Sequence, residues 1–549
     1  MFLRLKEKEL KKRNLRIWSL LLSVFLIIAS YSENPSDILQ LGGGVGHALA
    51  PAPAPLSQME YIRPDMAEHD AVLEESCRIA REEKDIDKVL ESVLDYYDVY
   101  DRFYTDLALA DIYYSCDLTD IYWQKEYEYC VEQVATAEAG LEALYSALAE
   151  SPLRAELEAD YFGEGYFDIY EGESTYNDAL MALMEQEAQL ESRYQQMLTG
   201  DIYAPEFLDE NWEPMAQLLV ELVQVRQQIA EETGYDSFPD CAYEFYHARD
   251  YSAPEAEAYL MEVSENLTEL YRLVCSSSVW NLGYSYCPET DTYRYVQQAA
   301  KEMGGQIAQG FRMLDGESLC HIDYSPNKAT GAYEVYLWSY TSPFIFLSPY
   351  LDQTDKLTFS HEFGHFLNDY VCGGSYAGTD IAEVHSQAFE YLCLVYGEDT
   401  AELEKYKLAD SLCTYVEQAA YAMFEQRLYA LEAEELNPEG LQELYEEVSM
   451  TFGFDSRNWD SREFVLINHF FTDPMYVISY VVSNDVAFQI YQMEKAAPGA
   501  GLEVYEACLE SQDSYLVWFA ENYGLESPFA SGRLEQVRAT LEEGLADYL

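Results

Sequence analysis

The sequence predicts a mainly α-helical protein with one small β-sheet. Three observations carry this. From about residue 59 onward, long segments place apolar residues three and four apart with acidic residues between them, the pattern of helices that bury one face. Glycine and proline are sparse and fall mostly between those segments. One stretch, 333–347 (YEVYLWSYTSPFIFL), is instead aromatic and β-branched, with Gly331 before it and Pro343 inside, and reads as two short strands.

Taken in chain order, the first sixteen positions hold seven of the 32 basic residues, and an apolar run follows at 17–29. The run is long for the core of a signal peptide and short for a full membrane span. Residues 1–30 therefore read as a signal peptide or a retained anchor, left open between the two, with the rest of the chain extracytoplasmic: secreted, or anchored by that segment. Residues 31–58 carry Gly42, Gly43 and Gly44 and then a Pro-Ala alternation at 51–55, the composition of a linker. The folded body is 59–549. Helical periodicity is clearest at 71–104, 131–157, 177–198 and 213–233, and returns near Asp355 after the strands. No fixed-period repeat is evident, so a solenoid is not favoured.

The 549 residues carry a net charge of −68. So acidic a body repels phosphate backbones, which argues against a nucleic-acid partner. The charge reads as a solvated surface that keeps the chain soluble, or as a field that gathers cationic peptides. The 49 tyrosines suit cores and wet clefts alike. None of the eleven cysteines stands in a C-x-x-C pair, so a zinc ribbon or thioredoxin-like site is unsupported; buried free thiols are expected for most, and disulfide pairing is not legible.

The chemistry concentrates at 361–365, His-Glu-Phe-Gly-His. On a helix His361 and His365 lie on one face and can offer two imidazoles to one metal ion, while Glu362 reaches a water instead of the ion. Two unconnected histidines on a helix is the other reading of the pattern. A hydrolytic zinc site needs a third ligand and an open position. This helix is expected to end near Cys372, at Gly373-Gly374, and the next to start after Gly378-Thr379 with Asp380 as its cap. Glu383 then falls in the first turn and can return to the histidine pair. Gln387 and Glu390 share its face, and Glu390 is placed to hydrogen-bond a ligand histidine. His385 points elsewhere. An exposed acidic helix face is the alternative for both glutamates.

The segments NKATGAY (327–333), SPFIFLSP (342–349), TFSHEFGHFLN (358–368) and EVHSQAFE (383–390) together resemble the thimet oligopeptidase and oligoendopeptidase F family, the M3 metallopeptidases. HFFTDPMYVISY (469–480) resembles that family's His-plus-tyrosines segment, and ETGYDSFPDCAYE (232–244) its helical lobe. The resemblance implies a two-lobed helical ellipsoid with a deep substrate channel and a small sheet near the zinc-binding helix. The catalytic core falls at about 320–490. It implies one zinc ion on His361, His365 and Glu383, with Glu362 as general base. His469 and Tyr480 are implied as oxyanion donors, shared or exchanged with Tyr476. Substrate contacts fall to Tyr476, Gly331, Tyr333 and Phe344, where the strand at 344–347 would pair with an extended peptide. Asn368 and Ile478 depart from the family's common His and Tyr, and the export signal is unusual. The expected activity is endopeptidase action on short unstructured oligopeptides. A zinc exopeptidase, an extracytoplasmic peptide-capture protein and a purely structural helical protein are the alternatives. Oligomeric state is not legible.

Overall fold

The computed structural model describes residues 54–549 except 164, 171–177, 199–204, 375–377, 455–458 and 512. Residues 1–30 and most of the linker lie outside the described residues. Among the described residues no helix is long and apolar enough to cross a membrane.

The main helices are α1 (Met66–Glu82), α2 (Ile86–Cys116), α3 (Ile121–Ala149), α4 (Asp178–Met197), α5 (Pro205–Glu232), α6 (Ala253–Cys275), α7 (Glu289–Met303), α8 (Gly305–Glu317), α9 (Thr354–Cys372), α10 (Thr379–Tyr396), α11 (Ala401–Leu428), α12 (Pro438–Thr451), α13 (Ile478–Ala496), α14 (Ala500–Cys508) and α15 (Arg533–Gly544). The strands are β1 (Cys320–His321), β2 (Ala332–Leu337) and β3 (Ser342–Leu347). The helical class and the small sheet are as the sequence predicts.

The periodic segment at 71–104 is two helices. Between them Glu83 is extended, and its carboxylate accepts from the backbone of Lys84 at 2.8 Å and Asp85 at 3.2 Å. An acidic side chain that satisfies local N–H groups competes with helix formation without any glycine or proline to mark the break.

The chain divides into two compact units. One gathers the residues up to Asn177 with Gly304–Tyr350 and His365–Tyr376; the other gathers Asp178–Met303, Leu351–Gly364 and Ala377–Leu549. The division falls inside α9, between Gly364 and His365, and the helix is continuous across it.

In the first unit α1, α2 and α3 enclose a core rich in tyrosine, with Tyr96, Tyr97, Tyr100 and Tyr104 against Cys130, Val134, Ala137 and Leu144. Buried phenols need partners. Tyr97 donates to the Tyr145 hydroxyl at 3.0 Å, and Tyr100 and Tyr104 both donate to Glu138. The sheet order is β1-β3-β2, with β1 parallel and β2 antiparallel to β3. Lys328, nearly buried, ties it together by donating from Nζ to the carbonyls of His321, Asp323 and Leu347.

This burial has a consequence for stability. Burial raises the Glu138 carboxyl to about 8 against the opposing bonds from Tyr104 and Tyr100, and raises Asp111 to about 7 against those from Tyr333 and Ser115. In the second unit burial raises Glu425 to about 8, opposed by the Met475 N–H. Between the ordinary carboxylate range and about 8 these three carboxyls therefore bind more protons in the folded chain than in the unfolded one, and their pH range extends above that of the buried histidines, such as His247 and His469, that burial pushes the other way. Stability falls as pH rises through that window, each pKa unit carrying about 1.4 kcal/mol. The melting temperature is expected to be higher at mildly acidic pH than at pH about 8. Glu138→Gln should flatten the slope, and a profile that rises with pH would contradict this.

In the second unit α10 packs along α13. Tyr391 donates to Asn484 Oδ1 at 2.8 Å and shares a hydroxyl–hydroxyl bond with Ser411 at 2.6 Å, and the fully buried Arg533 pairs with Asp485 at 2.8 Å.

Candidate active site

Helix α9 carries both motif histidines. It starts at Thr354, whose N–H and hydroxyl are both held by the Asp352 carboxylate, and ends where Gly373 and Gly374 turn to positive φ and donate back to the Asp369 carbonyl at 2.8 and 3.0 Å. The next helix begins at Thr379 with Gly378 as its cap, a correction to the expectation that Asp380 caps it. The Asp380 carboxylate is buried and engaged elsewhere, by Tyr251 at 2.8 Å, Ser479 at 2.6 Å and Arg249 at 3.4 Å.

Helices α9 and α10 meet at Gly364. A Cβ there would lie 2.5 Å from the Ser386 Cα and 2.6 Å from the His385 carbonyl oxygen. Only a residue without a side chain allows that approach, and the approach brings Glu383 to the histidines. The donor atoms of His361, His365 and Glu383 all lie within 4.8 Å of one another, with His361 Nε2 3.4 Å from Glu383 Oε2.

His361 and Glu383 are held from behind. The Glu390 carboxylate accepts from His361 Nδ1 at 2.9 Å, which turns Nε2 toward the triad. Lys407, nearly buried on α11, pairs with the other Glu390 oxygen at 2.7 Å. The Ser386 hydroxyl donates to Glu383 Oε2 at 3.1 Å and Tyr476 to Glu383 Oε1 at 2.7 Å. Burial opposes a charged His361, but Glu383, Glu390 and Glu362 outweigh it and raise its pKa to about 9. Burial raises Glu362 to about 7, opposed by His361 and reinforced by Glu383 and Glu390. His385 is fully buried, edge-on to Tyr505 and Phe519, and is not part of the group.

His469, Tyr476 and Tyr480 come together. The His469 ring stacks on Tyr476 at 5.5 Å and meets Tyr480 edge-on at 5.7 Å, with Nε2 3.3 Å from the Tyr480 hydroxyl. Their segment is pinned by buried charge. Arg226 pairs with Glu187 at 2.6 Å and donates to the carbonyls of Phe470 at 2.7 Å and Phe471 at 2.6 Å. Glu425 accepts from the Met475 N–H at 2.7 Å, where the backbone takes a positive φ of 64°. A cavity of about 310 Å³ opens beside His361, Gln387, Glu390, Lys407 and Tyr480.

Gly331, Tyr333 and Phe344 belong to the first unit. Gly331 is exposed at φ +96°, a conformation that favours glycine. Tyr333 stacks on Phe346 at 4.9 Å and its hydroxyl is shared with Asp111. Phe344 is fully buried, and β3 is the central strand, paired along its length with β2 and at Ile345 and Phe346 with β1. The expectation that β3 pairs with an extended peptide is corrected: its edges are taken, and β2 is the longer outer strand. Sequence reasoning missed Lys407, Ser386, Arg226 and the part played by Gly364. The residues of the EVHSQAFE stretch held the signal for Ser386 alone.

Residues 56–177 match the family model of the peptidase M3 N-terminal domain, ending where the first segment of the first unit ends. That stretch of the chain is a peptidase M3 N-terminal domain. The fold agrees over nearly the whole chain. A protein assigned as oligoendopeptidase F superposes with a TM-score of 0.77 at 21% identity, covering 90% of this chain and 99% of that one. PZ peptidase A with an inhibitor gives 0.76 at 19%, and a protein from Bacillus anthracis assigned as oligoendopeptidase F gives 0.75 at 20%, each with the same coverage. At these identities the likeness establishes the M3 oligopeptidase fold. A search by sequence among curated proteins finds no match. The resemblance to the M3 peptidases read from the motifs is thus borne out, and the fold and family domain are those of a peptidase.

Proposed function

We propose that the chain is a zinc-dependent endopeptidase acting on short, unstructured oligopeptides. The observation that carries the reading is the convergence of His361, His365 and Glu383 beside Glu362. The donor set fits zinc: two imidazoles and a carboxylate are a set that leaves a position open, and the Glu390 bond to His361 Nδ1 leaves Nε2 to face an ion. Zinc held there supplies Lewis acidity, lowering the pKa of water and polarising a carbonyl.

The chain's own residues do the rest. Glu362, buried and adjacent to the triad, takes the proton from the attacking water and passes it to the leaving amine. The Tyr480 hydroxyl and His469 donate to the oxyanion as it forms. Tyr476, bonded to Glu383, orients that ligand and closes one side of the aromatic cluster. Lys407 and Glu390 hold His361 in register.

Cleavage of an internally quenched peptide blocked at both ends, with products mapped by mass, tests the endopeptidase reading. Internal cuts support it. Activity only on peptides with a free end would replace it with an exopeptidase. Export through residues 1–30, which lie outside the described residues, belongs to the same proposal, and fractionation of the natural host checks it.

Two further results are expected. Lys407→Met should leave Glu390 without its buried partner and weaken zinc affinity by about 10- to 100-fold with little change in fold; unchanged affinity would remove Lys407 from the site. Because His361 in chelator-stripped protein holds a proton up to about pH 9, zinc must displace it. Affinity should rise with pH toward that value, by up to about tenfold per unit. Affinity that is flat across this range would contradict the assignment.

A further inference from the structure

A second convergence of metal-ligating side chains lies in the second unit, away from the motif helix. Cys275 is the last residue of α6, while Cys413 and Glu417 stand four apart on one face of α11. Helices α6 and α11 pack together, and one donor atom from each of the three side chains lies within 4.8 Å of the other two. Both cysteines are free thiols, Cys275 exposed and Cys413 half-buried. Tyr271, one turn before Cys275, donates its hydroxyl to Glu417 Oε1 at 2.8 Å and orients the carboxylate, as an outer partner orients a ligand.

We propose that Cys275, Cys413 and Glu417 form a second metal site that takes a thiophilic divalent cation of the zinc class. Two sulfurs select against magnesium and calcium, which are bound through oxygen. Tetrahedral zinc spaces such donors about 3.5 to 3.8 Å apart, so the three groups need side-chain adjustments of only about 1 Å to close on an ion. Cys275 stands at the C-terminal end of α6, where the helix dipole favours a cation. Binding replaces the two thiol protons, which pass to solvent, and leaves two thiolates and one carboxylate on the ion. Three protein donors with one of them exposed leave the fourth position to solvent.

The test is a titration of the full-length chain, kept reduced by a phosphine, with cadmium ion. The readout is the ultraviolet sulfur-to-metal charge-transfer band, which imidazole and carboxylate ligands do not produce. The wild-type chain is expected to show a one-equivalent step that the double variant Cys275→Ser, Cys413→Ser lacks entirely, with peptidase activity the same in both. Glu417→Gln keeps both sulfurs and should weaken the step's affinity by about tenfold or more. An equal step in wild type and double variant overturns the site, and so does isolation of the chain with Cys275 and Cys413 joined as a disulfide.

Discussion

Glu362→Gln is expected to leave zinc bound at wild-type stoichiometry and to lower kcat by about 10²- to 10⁴-fold, the range of a lost general base. The amide keeps the shape of the side chain and its place next to His361, so the donors of His361, His365 and Glu383 stay where they converge. What it loses is the ability to take a proton. The wild-type carboxyl is buried and stands near neutrality, pushed up by burial and by Glu383 and Glu390 against the pull of His361. KM should change little, because the residue holds a proton in the transition state rather than the ground-state peptide. Metal analysis alongside turnover separates the cases. Near-normal turnover with zinc bound would remove Glu362 from the chemistry.

Gly364→Ala is expected to be the most damaging methyl group in the site. The added Cβ would meet backbone on the neighbouring helix, at 2.5 Å from Ser386 Cα and 2.6 Å from the His385 carbonyl. Backbone cannot swing aside as a flexible side chain can, so α9 and α10 must separate, at a cost of about 1–3 kcal/mol. Ser386 lies one turn after Glu383 and donates to its carboxylate, so the separation carries Glu383 away from His361. Zinc affinity and turnover should fall together, whereas Glu362→Gln lowers turnover alone. Gly316→Ala is the control: it lies in α8, nothing stands within 4 Å of a Cβ there, and the exchange should be neutral or slightly stabilising. Full zinc affinity in Gly364→Ala would show that the helix contact does not set the site.

How much of this is legible in the sequence follows from how local each feature is. The helical class, the two strands at 333–347 and the end of α9 at Cys372 rest on periodicity and glycine placement, and the structure agrees with them. The break at Glu83 rests on one side chain bonding to its own neighbours, which no pattern marks. Asp380 fits a cap by residue type, but a buried partner set of Arg249, Tyr251 and Ser479 claims it. β3 reads as an available edge because β1, only two residues long, is too short to announce itself. In the site, His361, His365, Glu383 and Glu390 sit at helical spacings in one short stretch and can be read directly. Lys407 and Arg226 reach their partners only through tertiary packing. The glycine of HEFGH can be read as a motif letter, but its reason is the backbone of α10.

Zinc added back to chelator-stripped protein, followed by cleavage of an end-blocked peptide, tests the zinc assignment when wild type and Glu383→Ala are compared. Wild-type activity should vanish on stripping and return to saturation with zinc, while Glu383→Ala stays inactive at the same concentrations. Full activity in stripped wild-type protein, or zinc-restored activity in Glu383→Ala, would contradict the assignment of catalysis to the ion held by His361, His365 and Glu383.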